Sequence, residues 1–256
     1  MFSLSGKKIL VTGASRGLGS VCARAFAESG ATLVLMARSE ESLNAVRASC
    51  ARPTEHGVLA VDLTDDEALQ QRVDEAIRFL GRIDTVLHVA GGGLGLRDAL
   101  LSSTDLLKLL SLNLVAAAEI NRQVAPAMIE RGRGNLVHVG SITSAEAVAS
   151  VGYNTAKAAL AAYVRSLGRE LAGAGIVVTG ILPGGFNAPG NSWERLRANK
   201  PEVVERFVEQ RLPRGRLAQA EELMPLLAFL CSDAASMMGG CMVPIDAGEG
   251  VSYAIA

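Results

Sequence analysis

Three side chains near the middle of the chain have the types and spacing for proton transfer to a carbonyl group. Tyr153 and Lys157 are four residues apart in a segment of helical character, and positions i and i+4 share one face of a helix. The pKa of a free tyrosine is about 10, too high for efficient proton transfer at neutral pH, and a neighbouring ammonium lowers it. Ser141 ends a predicted strand twelve residues before Tyr153, so we expect its hydroxyl to reach a carbonyl oxygen held near the phenol.

A glycine-rich loop, residues 13–19, links the first predicted strand directly to the first predicted helix. Glycines let the backbone turn tightly and approach a pyrophosphate, and free N–H groups at a helix start favour negative charge. The alternative is a purely structural turn, and the place of the loop in a βαβ unit favours nucleotide binding. The predicted cofactor contacts in this loop are Gly13, Ser15, Arg16, Gly17, Leu18 and Gly19.

The end of the second predicted strand indicates which nicotinamide cofactor is used. An NAD enzyme usually has an acid there for the ribose 2′-hydroxyl, and that acid would repel a 2′-phosphate. Here the strand ends in Ala37 and Arg38, before the first acid at Glu40. Arg38 and Arg16 can form charge-assisted, forked hydrogen bonds to a phosphate, although both can also be solvated surface arginines. We therefore expect NADP(H).

Two further cofactor contacts are predicted after the third strand. Asp62 is placed to accept a hydrogen bond from an adenine amino group, with Leu63 packing on the ring. The alternative role of Asp62 is to cap the next helix, for which Thr64 and Asp65 are better placed.

Short apolar runs alternate with longer segments of helical periodicity. Runs that are apolar throughout are typical of strands in a parallel sheet covered on both faces. Regular β-α-β alternation predicts an α/β fold with a doubly wound, seven-stranded parallel sheet (a Rossmann fold) in a single domain, residues 1–256. The predicted strands are residues 9–11, 32–35, 58–61, 85–89, 136–139, 176–181 and 242–245, and the predicted helices are 17–29, 40–48, 65–80, 103–130, 152–171, 201–210 and 220–231.

One insertion, residues 184–216, interrupts this alternation with glycines and prolines before Trp193 and a charged helix after it. Long irregular connections are usually lids or substrate loops, and ligands bind at the carboxyl ends of the strands. We expect the insertion to cover the site. The insertion has modestly more Arg and Lys than Glu residues, and this positive charge would attract a carboxylate or a phosphorylated carrier. A solvated helix face explains the charges equally well.

Several motifs stand in a fixed order along the chain: Thr12-Gly13-x-x-x-Gly17-x-Gly19, Asn113, Ser141 and Tyr153-x-x-x-Lys157. Together they resemble the motif set of the short-chain dehydrogenase/reductase family, in its shorter single-domain branch that includes 3-oxoacyl-thioester reductases. The resemblance covers roughly residues 7–248 and implies hydride transfer between NADP(H) and a ketone or secondary alcohol.

The resemblance also implies a role for each motif residue. Tyr153 would donate or accept the substrate proton, and Ser141 would polarise the carbonyl. Lys157 would bind the nicotinamide ribose and lower the pKa of Tyr153, and Asn113 would hold a water that links Lys157 to solvent. Other implied cofactor contacts are Ala90, Gly91, Pro183, Gly184 and Phe186, besides Tyr153 and Lys157 themselves.

Some positions depart from the family pattern. This chain has His88 and Val89 where the family commonly has two asparagines. We expect His88, like His56 and His138, to be structural, and other groups must then tie the neighbouring strands together. Asn187 stands where a threonine often contacts the carboxamide of the cofactor, and an Asn side chain can both donate and accept.

The substrate and the assembly are less constrained. Arg131 and Arg133 lie in the loop where such reductases often contact an acyl carrier. However, Ala174 stands where a basic residue is often found, just before Gly175 and Ile176, so a carrier-bound substrate is not favoured over a free ketone, sugar or polyol. Small residues on the helix after Tyr153 allow close packing, and the family uses this helix in a two-fold interface. We expect a homotetramer or a dimer.

Composition and charge argue against nucleic-acid binding, membrane spans, a disulfide framework and a metal site. The net charge of −1 gives no basic excess typical of nucleic-acid binders. The apolar runs are shorter than the roughly 18 residues of a spanning helix, and the polar residues 1–8 leave no room for a signal peptide. The four cysteines are scattered without a C-x-x-C pair, so we expect no disulfide framework and no metal site. We expect a cytoplasmic protein without a nucleic-acid or membrane partner.

Three other functions remain as alternatives. An NAD-dependent sugar or alcohol dehydrogenase is the first, and the Ala37-Arg38 pair argues against it. A non-catalytic nucleotide sensor is the second, although such proteins typically lose the tyrosine or the lysine. A non-oxidative reaction such as epimerisation or dehydration is the third, but it would fit longer chains with a substrate domain, which we do not expect here.

Overall fold

The computed structural model describes residues 3–252, so the outermost residues of the predicted 1–256 domain lie outside the described part. The strands of this part are β1 (Lys8–Thr12), β2 (Thr32–Ala37), β3 (Gly57–Ala60), β4 (Thr85–His88), β5 (Gly134–Val139), β6 (Ile176–Pro183), β7 (Phe186–Asn187), β8 (Ala218–Gln219) and β9 (Met242–Ile245). Seven of them form one parallel sheet in the order β3-β2-β1-β4-β5-β6-β9. This confirms the predicted α/β fold with a doubly wound sheet.

Apolar residues cover both faces of the sheet, as the unbroken apolar runs predict. Ile9 packs into the core that contains Phe26 on one face. Its neighbour Leu10 packs into the core that contains Val73 on the other face. Because successive side chains of a strand point to opposite faces, a strand buried on both sides must be apolar at every position. The order of the strands reverses between β1 and β4, and ligands bind at the carboxyl ends of strands at such a switch point.

The helices are α1 (Gly17–Glu28), α2 (Glu40–Ala48), α3 (Asp66–Leu80), α4 (Ser103–Leu110), α5 (Ala116–Glu130), α6 (Val151–Ala172), α7 (Ser192–Asn199), α8 (Pro201–Arg211) and α9 (Met224–Leu230). Several begin at a side chain that accepts a hydrogen bond from the first turn. Asp65 accepts from Ala68 N at 3.1 Å, as expected for a helix cap. The predicted helix 220–231 is divided into a 3₁₀ turn, Ala220–Leu223, and α9. No helix within residues 3–252 is long and apolar enough to cross a membrane.

The predicted single helix 103–130 is wrong in its middle, where a π-helical turn, Ser111–Val115, separates α4 from α5. The side-chain Nδ2 of Asn113 donates to Leu109 O at 2.9 Å. In a regular α-helix the main-chain N–H of residue 113 would take that carbonyl. Competition between a side-chain amide and the backbone is a known way to disturb a helix, and π-turns are frequent at functional sites.

Residues 184–216, named here the lid segment, follow β6 and contain more regular structure than the sequence predicts. The sequence predicts one helix, 201–210, whereas the structure contains both α7 and α8, and β7 pairs with β8. The rings of Trp193 and Phe207 lie 4.3 Å apart, centroid to centroid. They pack against a small core of Val204, Leu212 and Leu217. The lid segment therefore has its own apolar cluster, which periodicity in a short charged helix does not reveal.

Candidate active site

The glycines of the loop between β1 and α1 have different tasks. A Cβ on Gly13, whose φ is +68°, would lie 2.7 Å from Ala90 N, and a Cβ on Gly19 would clash with Gly13 O. These two glycines let β1, the β4 end and α1 pack closely. Gly17 also has a positive φ, +59°, but its nearest neighbour is Asn191 Cβ at 4.0 Å. A side chain at Gly17 would thus have room, so the glycine is favoured here by the positive φ and not by close packing.

The loop 188–191 of the lid segment lies against the start of α1. Gly17 N donates to Pro189 O at 2.7 Å, and Arg16 Nη1 donates to Gly190 O at 2.9 Å. Arg16, predicted to bind a 2′-phosphate with Arg38, is thus directed at the lid segment in this structure. Its guanidinium must turn away from Gly190 to meet a phosphate, and the role stays a prediction.

Arg38 is exposed at the end of β2 and lies near Asp62. Thr64 donates to Asp62 Oδ1 through its N–H at 3.0 Å and its hydroxyl at 2.8 Å. These bonds, and to a smaller degree the charge of Arg38, hold the pKa of Asp62 below its ordinary value. Leu63 is buried in the core beneath α3, so its predicted packing on an adenine ring would use a side chain that is already enclosed.

The structure brings Ser141, Tyr153 and Lys157 together at the carboxyl end of β5. Ser141 follows this strand, and its hydroxyl lies near enough to the Tyr153 phenol to oppose the rise of the tyrosine pKa. The Nζ of Lys157, one helical turn after Tyr153, lies 5.7 Å from the centroid of the tyrosine ring. Gly152 lets the start of α6 pack against α4, because a Cβ there would lie 2.5 Å from Leu109 Cδ1. A carbonyl oxygen beside the phenol would meet two hydroxyl donors with a cation behind them.

Burial has the largest effect on the pKa values of Lys157 and Tyr153. Lys157 is only 3% exposed, its Nζ donates to Val139 O at 2.8 Å, and desolvation lowers its pKa to about 8. Desolvation raises the pKa of Tyr153 to about 12, and the Ser141 hydroxyl only partly opposes this rise. The pKa of Tyr153 therefore lies above its ordinary value in this structure, because removing the phenolate from water is the larger effect, and the lowering by Lys157 stays a prediction.

Asn113 is buried beside Lys157, at the π-helical turn. Its Nδ2 donates to Leu109 O at 2.9 Å and Gly92 O at 3.0 Å, and its Oδ1 accepts from Gly92 N at 2.9 Å. An amide nitrogen has two hydrogens, so both are used by the main chain, and the predicted water could meet only the remaining lone pair of Oδ1. A Cβ on Gly91 would lie 2.7 Å from Asn113 Oδ1 and 3.2 Å from Lys157 Nζ, so Gly91 packs against both groups.

Comparisons with known proteins match nearly the whole chain. A family model described as enoyl-(acyl carrier protein) reductase matches residues 13–249. Gluconate 5-dehydrogenase of Gluconobacter oxydans is 34% identical over 254 residues, 98% of each chain. The chain belongs to the short-chain dehydrogenase/reductase family. This membership confirms the predicted resemblance and makes the protein an oxidoreductase by class.

Two further short-chain dehydrogenase/reductases show the range of relatives. The 3-oxoacyl-[acyl-carrier-protein] reductase of Thermotoga maritima is 29% identical over 250 residues, 96% of this chain and 98% of its own. The crystal structure of L-sorbose reductase from Gluconobacter frateurii, complexed with NADPH and L-sorbose, has a TM-score of 0.88 at 27% identity. It covers 98% of this chain and 99% of that one.

Within this family framework, sequence reasoning missed Glu249. A Cβ on Gly184 would lie 2.5 Å from Glu249 Oε2, and the same carboxylate oxygen accepts from Gly185 N at 2.5 Å. Glu249 is 5% exposed, and burial raises its pKa. It therefore fixes the turn after Pro183 at the end of β6. No sequence signal identifies it, because its partner is a main-chain N–H from a distant part of the chain.

Glu146 is a second residue that sequence reasoning missed. Its Oε1 accepts from Val251 N at 2.7 Å and Ser252 N at 2.8 Å, and its Oε2 lies 3.7 Å from Arg211 Nη2. The carboxylate thus joins the loop after Ser141 to residues 251–252 and to the end of α8.

The structure offers two features that fit a nicotinamide nucleotide. The Gly17 N–H at the start of α1 would be a donor for a phosphate once Pro189 O releases it, and Asn187 Oδ1 is buried without a hydrogen-bond partner in the described part of the chain. A buried acceptor without a donor costs free energy, and a carboxamide N–H is a suitable donor. Phe186, beside it, lines a cavity of about 400 Å³ between the lid segment and the β9 end.

Proposed function

We propose that this protein is an NADP(H)-dependent carbonyl reductase or alcohol dehydrogenase that transfers a hydride between the cofactor and a ketone or secondary alcohol. The observation that carries the proposal is the position of the Lys157 ammonium 5.7 Å from the centroid of the Tyr153 ring, with the Ser141 hydroxyl near the phenol. Residues 1–256 would act as one catalytic domain in the cytoplasm, with the lid segment closing over the site.

The side chains divide the proton chemistry among them. With a pKa of about 12, Tyr153 keeps its proton at neutral pH and donates it to the carbonyl oxygen during reduction. Ser141 donates a hydrogen bond to the same oxygen and stabilises the charge that develops there. Lys157 stabilises the phenolate that remains, and for alcohol oxidation the steps run in reverse. A bound nicotinamide would supply or accept the hydride.

The residues that would hold the nucleotide surround the switch point of the sheet. We assign them as Gly13, Ser15, Arg16, Gly17, Leu18, Gly19, Arg38, Asp62, Leu63, Ala90, Gly91, Tyr153, Lys157, Pro183, Gly184 and Phe186. Support for NADP(H) over NAD comes from the exposed Arg38 at the β2 end and from the NADPH complex of L-sorbose reductase. An NAD-dependent sugar or alcohol dehydrogenase is the second candidate, favoured by the likeness to gluconate 5-dehydrogenase.

A free, hydroxylated ketone is the substrate class we favour over a carrier-bound one. Two of the relatives are named for gluconate and L-sorbose. Arg131, expected at a carrier contact, donates through Nη2 to Ile83 O at 2.6 Å and is half-buried. Its guanidinium therefore supports the fold and is less available to a carrier phosphate.

We also propose a homotetramer or dimer that packs through α6. Ala158 and Ala162, one turn apart on this helix, are exposed, as are Val151 (53%) at the start of α6 and Val115 (46%) in the π-helical turn. Burying such apolar groups against a second copy would stabilise an oligomer. Light scattering at micromolar protein concentration tests this proposal, and a monomer would contradict it.

The activity is tested with a panel of ketones, ketoses, keto acids and one 3-oxoacyl thioester, read at the nicotinamide absorbance with NADPH and with NADH. We expect turnover of at least one free hydroxylated ketone and a higher kcat/KM with NADPH. Turnover of the thioester alone would contradict the substrate class, and preference for NADH would contradict the cofactor assignment.

A further inference from the structure

Two buried imidazoles lie side by side beneath the catalytic lysine. His88 ends β4, His138 lies in β5, and the two residues are direct partners in the sheet register. Their rings stack with centroids 4.5 Å apart and planes inclined by 16°. His88 is 5% exposed and His138 is fully buried. Buried polar atoms cost free energy unless they are hydrogen-bonded, so the partners of all four ring nitrogens matter.

Asn121 on α5 assigns a different tautomer to each ring. Its Oδ1 lies 2.8 Å from His88 Nε2, and because a carbonyl oxygen only accepts, this nitrogen carries the hydrogen. Its Nδ2 donates to Tyr163 Oη at 3.1 Å and lies 3.4 Å from His138 Nε2. Because an amide nitrogen only donates, His138 Nε2 is the acceptor. In neutral rings, His88 Nδ1 is therefore an acceptor and His138 Nδ1 carries a hydrogen.

The two Nδ1 atoms have complementary hydrogen-bonding roles, since His88 Nδ1 accepts and His138 Nδ1 donates. Within residues 3–252, neither Nδ1 of His88 nor Nδ1 of His138 has a hydrogen-bond partner. Both residues line an internal cavity of about 10 Å³, together with Thr12, Asn113 and Val139. A cavity of roughly this volume holds one water when two or more polar partners are present. A single water can accept from His138 and donate to His88.

We propose that one structural water binds between His88 and His138, and that His138 is a positioning residue for Lys157. The link is Val139, the residue after His138, whose carbonyl accepts from Lys157 Nζ. The water and the two rings join β4 to β5 at the point where Val89 offers no polar side chain. The second part of this inference rests on the proposed function, whereas the water and the tautomers do not.

Both imidazole rings must stay neutral for this arrangement of tautomers and water to hold. Burial lowers the pKa of His88 to about 4. It also lowers the pKa of His138 well below its ordinary value, with His88 and Lys157 contributing in the same direction. The groups that face the pair are Asn121 from α5, Asn113 from the π-helical turn, and Tyr163 and Lys157 from α6. At neutral pH Lys157 carries the positive charge among these groups, so a charged His138 would repel it.

Nitrogen-15 NMR of the wild-type protein tests the tautomers and needs no activity. His56 is an internal reference, because its Nδ1 accepts from Leu33 N and its Nε2 faces Ala51 O. We expect His88 as the Nε2–H tautomer, His138 as the Nδ1–H tautomer, and no titration of either between pH 8 and pH 5. Identical tautomers, or titration of either ring near pH 6.5, would overturn the proposal. A high-resolution crystal structure must also contain a water within hydrogen-bond distance of both Nδ1 atoms, and a dry cavity would contradict it.

The positioning role is tested with His138→Phe, which keeps a stacked ring and removes both nitrogens. A less polar neighbourhood disfavours the ammonium, so we expect the basic limb of the kcat pH profile to move to lower pH by about half a unit or more, with KM for NADPH nearly unchanged. Tyr163→Phe keeps both imidazoles and should leave the profile in place. A wild-type profile for His138→Phe would reject the role. If no ketone is turned over, the proposed function fails while NMR still decides the water site.

Discussion

The main-chain N–H of Gly17 donates a 2.7 Å hydrogen bond to the carbonyl of Pro189. This bond joins the glycine loop to the lid segment, and it occupies a donor at the start of α1 that would otherwise favour an anion. A cofactor phosphate that uses this donor must displace Pro189. The lid segment and the nucleotide site are therefore expected to respond to each other.

The lid loop depends on Asn191, which accepts from Glu194 N at 2.9 Å and donates to Phe186 O at 2.7 Å. Asn191→Ala removes the cap of α7, a loss of about 1 kcal/mol for a typical cap, and also the link to β7. We expect trypsin to cleave at Arg195 or Arg197 several-fold faster than in the wild type. Asp65→Ala, which removes the cap of α3, is the matched control. Equal cleavage rates in all three proteins would show that Asn191 does not hold the loop.

Cofactor preference is tested at Arg38. Arg38→Asp replaces an exposed cation at the β2 end by an acid that repels a 2′-phosphate and suits a 2′-hydroxyl. We expect KM for NADPH to rise at least about tenfold more than KM for NADH. Arg78→Asp makes the same charge change on the exposed surface of α3 and should affect both cofactors equally. A parallel change for the two cofactors in Arg38→Asp would reject the role of this arginine.

Close packing in the glycine loop is tested at Gly19. A Cβ at Gly19 clashes with the main-chain oxygen of Gly13, so Gly19→Ala must move α1 away from the loop. We expect a loss of on the order of 2 kcal/mol in the free energy of unfolding, as for other overpacked sites. Gly173→Ala adds the same methyl group where no atom lies within 4 Å and φ is −63°, and it should not destabilise. Urea denaturation compares the two, and equal stability would contradict this packing.

The buried ammonium of Lys157 has a stability cost that depends on pH. Its folded pKa of about 8 lies below its ordinary value of 10.5, so the cost is full below pH 8 and fades as pH rises towards 10.5. Lys157→Met should therefore raise the free energy of unfolding at pH 7 by on the order of 2 kcal/mol, and by less at pH 9.5, while activity falls. Lys108→Met, at an exposed lysine, should change neither value. Destabilisation by Lys157→Met at pH 7 would contradict the desolvation argument.

Sequence reasoning predicts those features whose causes are local. The apolar runs at β1 and β5 identify strands because both faces are buried. Tyr153 and Lys157 share a helix face because helical geometry requires it. Ser141 joins them because it follows the strand beside that helix. Contacts between distant parts of the chain carry no local pattern. Examples are the carboxylate of Glu249 on Gly185, the side chain of Asn113 on Gly92 and the apolar cluster of the lid segment.

The pKa of Tyr153 shows the same limit in electrostatic terms. The i, i+4 spacing correctly places an ammonium near the phenol, which alone would lower the pKa. Burial acts in the opposite direction and depends on all the groups packed around Tyr153, among them Ser141 and Gly93. The sign of the shift is thus a tertiary property, and the raised pKa keeps Tyr153 protonated at neutral pH.

Tyr153→Phe tests the central claim most directly, because it removes one oxygen and keeps the ring. With a ketone substrate identified, we measure kcat for this variant together with the dissociation constant of NADPH by nicotinamide fluorescence. Loss of a general acid typically costs about 10²- to 10⁴-fold in rate, and we expect a loss in that range with NADPH binding within about twofold of the wild type. Tyr163→Phe, on the same helix, should remain active. A Tyr153→Phe protein that keeps wild-type kcat would contradict the assignment of Tyr153 as the proton donor.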